Sequence, residues 1–308
     1  MGTGVVHSLW SNLDWEDYRN ITLIGSALVA IFVGMPLLYL RTHAAVTQLK
    51  LSEEGQNLDR YQMGSTMLGD DKLSVRTAGI FGLHELVQTS PKQHFRIVWK
   101  VLAAFTNGES DIALRNDQDI PERTDIKSAI VSLETLRKQH RELAAEVLVK
   151  SDLSFNYIYI PYVDFRDAWL EGFSFKYATI NSSKFDRADL NGVEFDAAVM
   201  DSSNFAFAKM RMASFVGASL INANFYNGTL AGAQLDLCNL TKAKFSGADL
   251  ANASMKNTIL DEVDLSGAQV HGVNFYGAVM KRTILSNEQL SYAQLSKDQL
   301  ATVITKGH

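Results

Sequence analysis

From Phe155 to Leu285 every fifth residue is Phe, Leu, Ile, Met or Val, 27 positions in a row without a slip of phase. An interval of five matches neither the helical period of about 3.6 nor the strand period of about 2. The residues two places before these are mostly Ala, with Ser183, Ser203, Gly228, Cys238 and Thr258 as small substitutes. A chain winding in square turns, one pentad to a side, satisfies both patterns. The large apolar residue points inward at the middle of each side, the small one two places earlier also points inward, and the remaining three positions meet solvent. Four sides make a coil of 20 residues, so 27 pentads make nearly seven coils. At a strand-like spacing of about 4.8 Å these stack to about 30 Å. Among the 14 inward positions whose numbers end in 5, ten are Phe, and among the 13 ending in 0 none is. Phe therefore falls on two opposite sides of the coil, where it stacks on Phe, and aliphatic residues fall on the other two.

Three stretches, "SKFDRADLNGVEF" at 183–195, "ASFVGASLINANF" at 213–225 and "AKFSGADLANAS" at 243–254, resemble the A(D/N)LXX signature of the pentapeptide-repeat proteins. The resemblance implies a right-handed quadrilateral β-helix, so the fold class expected for residues 151–285 is a mainly β solenoid. It implies a scaffold and not a reaction, because members share architecture rather than chemistry. Leu153, Ile158, Val163 and Phe173 are larger than the usual alanine, which predicts a widened first coil plugged by the segment before it.

Upstream, "ITLIGSALVAIFVGMPLLYL" at 21–40 carries no charge and is long enough, at about 1.5 Å per residue, to cross a bilayer as a helix. It predicts a transmembrane helix after a short segment, 1–20. Arg19 on one flank against Arg41, Lys50 and Arg60 on the other places the C-terminal body in the cytoplasm. Residues 59–105, including Val75, Arg76, Gly79, Ile80 and Leu83, resemble the pre-repeat segment of bacterial membrane proteins of this type, which implies the inner membrane. With Cys238 as the only cysteine there is no intrachain disulfide, and a net charge of −5 marks neither a nucleic-acid binder nor an acidic tail.

Residues 41–150 read as an α-helical stalk and pre-repeat segment. Asp71 is the expected N-cap of a helix burying Leu73, Val75, Ala78, Phe81 and Leu86. A second helix starts at Pro91, buries Phe95, Val98, Trp99, Leu102 and Phe105, and stops at Asn107–Gly108. A third opens at Thr124 and buries Ile126, Ile130, Leu133 and Leu136. The closing segment, 286–308, contains two capping-box patterns, "SNEQ" and "SKDQ", each opening a short helix with Leu290, Leu295, Leu300 and Val303 to bury. This helical cap is expected to cover the last coil, and the family resemblance also makes it a candidate homodimer surface.

No phosphate loop, nucleophile elbow or metal motif is present, so neither cofactor nor metal is expected. His84, Glu85 and His94 have the wrong spacing for a helical metal pair. Asp186, Asp189, Asp261, Glu262 and Asp264 read as solvated repeat positions. The function expected is a non-enzymatic, membrane-tethered scaffold for an unidentified protein partner, with no nucleic acid. The alternative that the family resemblance implies is a DNA mimic acting on a type II topoisomerase, like the fluoroquinolone-resistance pentapeptide proteins, and such mimicry needs dense negative charge. Residues 151–300 hold 16 Asp and Glu against 12 Lys and Arg, which is thin for that role. Phe207, Met212 and Tyr226 are the outward apolar residues proposed to meet the partner. Tyr157, Tyr159, Tyr162, Trp169 and Tyr177 are expected against the chain's own helices.

Overall fold

The computed structural model describes residues 35–115 and 124–306. Residues 21–34 of the expected membrane span lie outside the described residues. The chain divides into two compact units, Met1–Asp59 and Arg60–His308. The described part of the first unit belongs to helix α1, Met35–Leu68. As far as Asp59 it carries Arg41, Lys50, Glu53, Glu54 and Asp59 among exposed Leu38, Leu40, Val46, Leu49 and Leu51. Among the described residues no helix is long and apolar enough to cross a membrane. The transmembrane helix and the single-pass inner-membrane localisation are corrected on that finding: the described helix mixes charge into its apolar residues from Arg41 onward.

The second unit begins with the end of α1 and continues through α2, Leu73–Thr89, α3, Pro91–Arg115, α4, Thr124–Gln139, and α5, Arg141–Val147. The end of α1 approaches α2 closely through two glycines. A Cβ on Gly79 would stand 2.8 Å from the Gly64 carbonyl oxygen and 2.8 Å from Met67 Cβ. This contact sets the rotation of α2, which buries Gly79, Ile80, Leu83, Leu86 and Val87 and leaves Leu73, Ala78 and Phe81 exposed. The expected face was therefore offset. The N-cap is Lys72 rather than Asp71. The preceding carbonyls of Asp70 and Asp71 accept from Arg76, whose Nε donates to buried Asp125 at 2.7 Å. Helix α3 begins at Pro91 and buries Phe95, Val98, Trp99 and Leu102 as its spacing indicates. It runs through Asn107–Gly108 to Arg115, because one helical glycine costs only about 1 kcal/mol. Helix α4 buries Ile126, Ile130, Leu133 and Leu136.

After a 3₁₀ turn, Lys150–Leu153, the chain winds into coils. Parallel bridges join residues 20 apart, from Ser154↔Ser174 to Asp264↔Ile284. Each pentad is a two-residue turn followed by one extended stretch. In every pentad from Tyr157 to Arg282 the second turn residue has a positive φ, between 52° and 73°. This left-handed residue ends the extended run after a single bridge. The expected mainly β solenoid is accordingly corrected. Among the described residues only two strands form, β1, Ile284–Ser286, and β2, Ile304–Lys306, of three residues each. The repeat itself is a stack of turns tied by isolated bridges.

The main-chain bonds follow one scheme. The Phe205 amide donates to the Asn224 carbonyl at 2.7 Å, Phe207 to Tyr226 at 2.8 Å, and Asn224 back to Ser203 at 3.0 Å. Ala208 closes the turn onto Phe205 at 3.1 Å. The first turn residue is left over, and in many pentads an Asp or Asn side chain supplies its acceptor. In some pentads it stands two places earlier, as Asn224 does for Tyr226 (3.1 Å) and Asp264 for Ser266 (2.9 Å). In others it stands one coil earlier, as Asp201 does for Ile221 (2.9 Å) and Asp236 for Lys256 (2.8 Å). These carboxylates and amides bind backbone rather than merely facing solvent.

All 27 inward positions are buried. Phe175, Phe195 and Phe215 stack at 5.5 and 5.4 Å on one side. Phe185, Phe205, Phe225 and Phe245 stack at 4.8, 5.0 and 4.6 Å on the opposite side. The two columns meet edge to face, as at Phe195–Phe205. Three polar substitutes in the alanine slot donate to a carbonyl 23 residues back: Ser203 to Ile180, Cys238 to Phe215 and Thr258 to Leu235, at 3.0, 2.8 and 2.7 Å.

Both ends of the stack are covered. At the first coil Trp99 Nε1 donates to the Asp152 carbonyl at 2.8 Å and its ring meets Phe173 edge-on. Arg137 lies 4.2 Å above the Trp169 ring and donates to the Glu171 carbonyl at 2.7 Å. At the last coil both capping boxes form, opening α6, Asn287–Tyr292, and α7, Lys297–Leu300. Gln289 and Gln299 serve twice. Each accepts from its own serine amide, and each donates its side-chain amide to two coil carbonyls, Leu265 and Ala268 for Gln289, Phe275 and Ala278 for Gln299. Leu290, Leu295 and Val303 pack against the core, whereas Leu300 is exposed.

Two outcomes are expected from this arrangement. Burial pushes the Cys238 thiol up to about 12, so it stays protonated at pH 8. Maleimide labelling followed by mass spectrometry is expected to be at least about a hundredfold slower in the native protein than in denaturant. The Gln289→Ala variant strips two coil carbonyls and one amide of their partners. Its denaturant midpoint is expected to fall by the equivalent of about 2–3 kcal/mol.

Candidate interaction surface

The polar residues singled out in the sequence are absorbed by the architecture. His84 Nδ1 lies 2.7 Å from Ser132 Oγ, and His94 Nδ1 lies 3.2 Å from the Ser90 carbonyl. Burial holds the His84 imidazole below its ordinary pKa. Among the described residues no group of three His, Cys, Asp or Glu side chains could hold a metal ion. Asp186 accepts from Asn204 at 2.9 Å and Asp189 from Asn191 at 2.8 Å. Asp261 accepts the Lys281 amide at 3.3 Å, Asp264 the Ser266 amide at 2.9 Å, and Glu262 stands 3.6 Å from Arg282. None of these carboxylates converges on an enclosed space.

The outward aromatics divide differently from the expectation. Trp169 does meet the helices, lying between Arg137 and Arg141. Tyr157 and Tyr177 do not: they are exposed and stack on one another at 4.8 Å, one coil apart. Tyr162 is also exposed. The 20-residue register explains this, because identical corner positions in successive coils lie face over face and ring stacks on ring without help from a helix.

Phe207, Tyr226 and Met212 lie where the register brings two of them together. Phe207 holds the left-handed turn position of one corner, with a φ of 59°. Tyr226 holds the preceding turn position at the same corner one coil later. Their rings meet edge to face at 5.5 Å with 52% and 45% of their surface exposed. Met212 stands at the next corner of the coil, 68% exposed. Its thioether lies over Gly232 in the following coil, where an added Cβ would come within 2.6 Å of the sulfur. Lys209 stands on the side between the two corners and Arg211 opens the Met212 corner; sequence reasoning passed over both.

Residues 198–236 and 238–277 match the family model described as pentapeptide repeats, in eight copies. The chain carries these repeats over that part of its length. Three solved structures are similar to it. One is HetL, a pentapeptide repeat protein involved in heterocyst differentiation regulation in the cyanobacterium Nostoc, with 20% identity and a TM-score of 0.36 over 43% of this chain and 62% of HetL. The chain thus spans less than two thirds of HetL. A pentapeptide repeat protein of the Arabidopsis thaliana thylakoid lumen matches at 25% identity and a TM-score of 0.27 over 38% of this chain and 74% of that one. QnrB1, a plasmid-mediated fluoroquinolone resistance protein, matches at 21% identity and a TM-score of 0.22 over 50% and 82%. None of these likenesses reaches the level at which a neighbour's role transfers to this chain. Comparison with curated proteins finds no match.

Proposed function

We propose that this protein is a non-enzymatic scaffold whose coil stack binds a protein partner along the edge formed by Phe207, Tyr226 and Met212. The observation that carries this reading is the aromatic pair itself. Two rings gain about 0.5–1.5 kcal/mol from their mutual contact yet leave about half their surface in water. Fold stability does not call for them there, because the same corner is occupied by Asp167, Arg187, Ser246 and Gly267 in other coils. Exposed aromatic residues on a rigid support are the side chains that most often dominate binding energy. The DNA-mimic alternative draws less support, since residues 201–240, the two coils bearing the edge, contain only Asp201 and Asp236 as acids.

The Phe207→Ala/Tyr226→Ala double variant tests the reading. Its thermal midpoint is expected to stay within a few degrees of the parent, because both rings are outward. Chemical crosslinking in cells is expected to lose the partner species that the parent yields. Recovery of the same crosslinked species at equal yield contradicts the assignment.

A further inference from the structure

We infer that the segment seated on this edge is an acidic stretch of the partner protein, with a carboxylate engaging Arg211 and Lys209. The inference rests on the preceding reading of Phe207, Tyr226 and Met212 as the contact surface. It is carried by how charge is distributed over the two coils, residues 201–240, which contain four charged side chains: Asp201, Lys209, Arg211 and Asp236. Both cations lie between Phe207 and Met212 in the chain, Lys209 on the side of the coil and Arg211 as the first residue of the Met212 corner. Asp201 is half a coil away from Arg211, and Asp236 is at another corner. Both carboxylates are committed to the backbone scheme: Asp201 accepts from Ser219 Oγ at 2.6 Å and the Ile221 amide at 2.9 Å, and Asp236 accepts from Ser254 Oγ and the Lys256 amide.

The four arginines of the coils make the contrast plain. Arg166 pairs with Asp164 at 2.5 Å, Arg187 with Asp167 at 2.7 Å and Arg282 with Glu262 at 3.6 Å. Arg211 is exposed, and among the described residues its guanidinium has no carboxylate; the positions one coil before and after it are Asn191 and Ala231. Lys209, 64% exposed, has only Asp189, at 3.8 Å. At the equivalent corner of the next coil Ala231 offers no charge, and the Met212 thioether covers Gly232. A planar five-donor fork on a rigid support, one side of the coil away from an aromatic pair, suits a carboxylate followed or preceded by an apolar residue. Nucleic acid is the weaker fit, because two cations neutralise few phosphates and residues 151–300 are net acidic by four charges.

A random-peptide library displayed on phage and selected on the full-length protein tests this directly, with the recovered peptides then synthesised and titrated. Peptides carrying Asp or Glu next to an apolar residue are expected. Their affinity is expected to fall at least about tenfold in the Lys209→Glu/Arg211→Glu variant, and to fall as salt rises. The Arg211→Lys variant is expected to retain only part of the binding, since it keeps charge and loses the fork. Selection of neutral or basic peptides overturns the inference. So does binding that survives Lys209→Glu/Arg211→Glu while Phe207→Ala/Tyr226→Ala abolishes it, an outcome that leaves the surface reading standing. Peptides indifferent to both variants, or no peptide above background, count against both. A single-stranded oligonucleotide that displaces the peptides and binds more tightly than they do also overturns it. Melting curves of each variant separate loss of binding from loss of fold.

Discussion

The bond from the amide of each inward residue to a carbonyl 19 positions later, as from Phe205 to Asn224, is what the rest of the structure depends on. It sets the 20-residue register, and the register puts equivalent positions of successive coils directly over one another. From that one constraint come the two Phe columns, the alanine slot with its 23-residue back-bonds, and the outward ladders. It also leaves one amide per pentad without a main-chain acceptor. The Asp or Asn that answers this deficit in many pentads accounts for part of the polar half of the repeat, as the inward residue accounts for the apolar half.

The core of the coils was legible in the sequence because burial at every fifth position is a count that packing cannot blur. The 20-residue spacing of Phe185, Phe205, Phe225 and Phe245 is enough to put them in one column, and each capping box is complete within four consecutive residues. The nature of the sides could not be read in the same way. An extended stretch and a strand look alike in composition, and the left-handed residue that stops the stretch, such as Tyr157, Phe207 or Leu237, is in most pentads not a glycine. L-residues adopt that conformation rarely, so nothing in their identity announced it. The second role of Gln289 and Gln299 was hidden for another reason: a capping box is a local signal, whereas the carbonyls those side chains reach lie 21 and 24 residues back.

In the helices, spacing succeeded where one face is wide and apolar, as on α3 and α4, and failed on α2. There Gly64 and Gly79 set the helix rotation by close approach, which hydrophobic counting does not see. The outward aromatics show the same division. Phe207, Tyr226 and Met212 were identified as outward from phase alone, while the mutual stacking of Tyr157 and Tyr177 required knowing that corners align. Arg211 went unnoticed because its significance is an absence of carboxylates one coil before and after, a relation that exists only once the register is known. On such a stack the interior is nearly uniform, so specificity can reside only in the outward ladders.

The most direct test of this account is a deletion series read by thermal melting. Removing residues 241–260 takes out one whole coil and rejoins the chain in the same phase, with Asn227 meeting Gly267 in place of Gly247. Removing residues 241–245 takes out one side and turns everything beyond it by a quarter of a coil. The 20-residue deletion is expected to melt cooperatively, with a midpoint lowered modestly by the loss of one coil's contacts, and the five-residue deletion is expected to lose its cooperative transition or to melt far lower. Equal destabilisation by the two deletions, or better tolerance of the shorter one, would contradict the register on which the account rests.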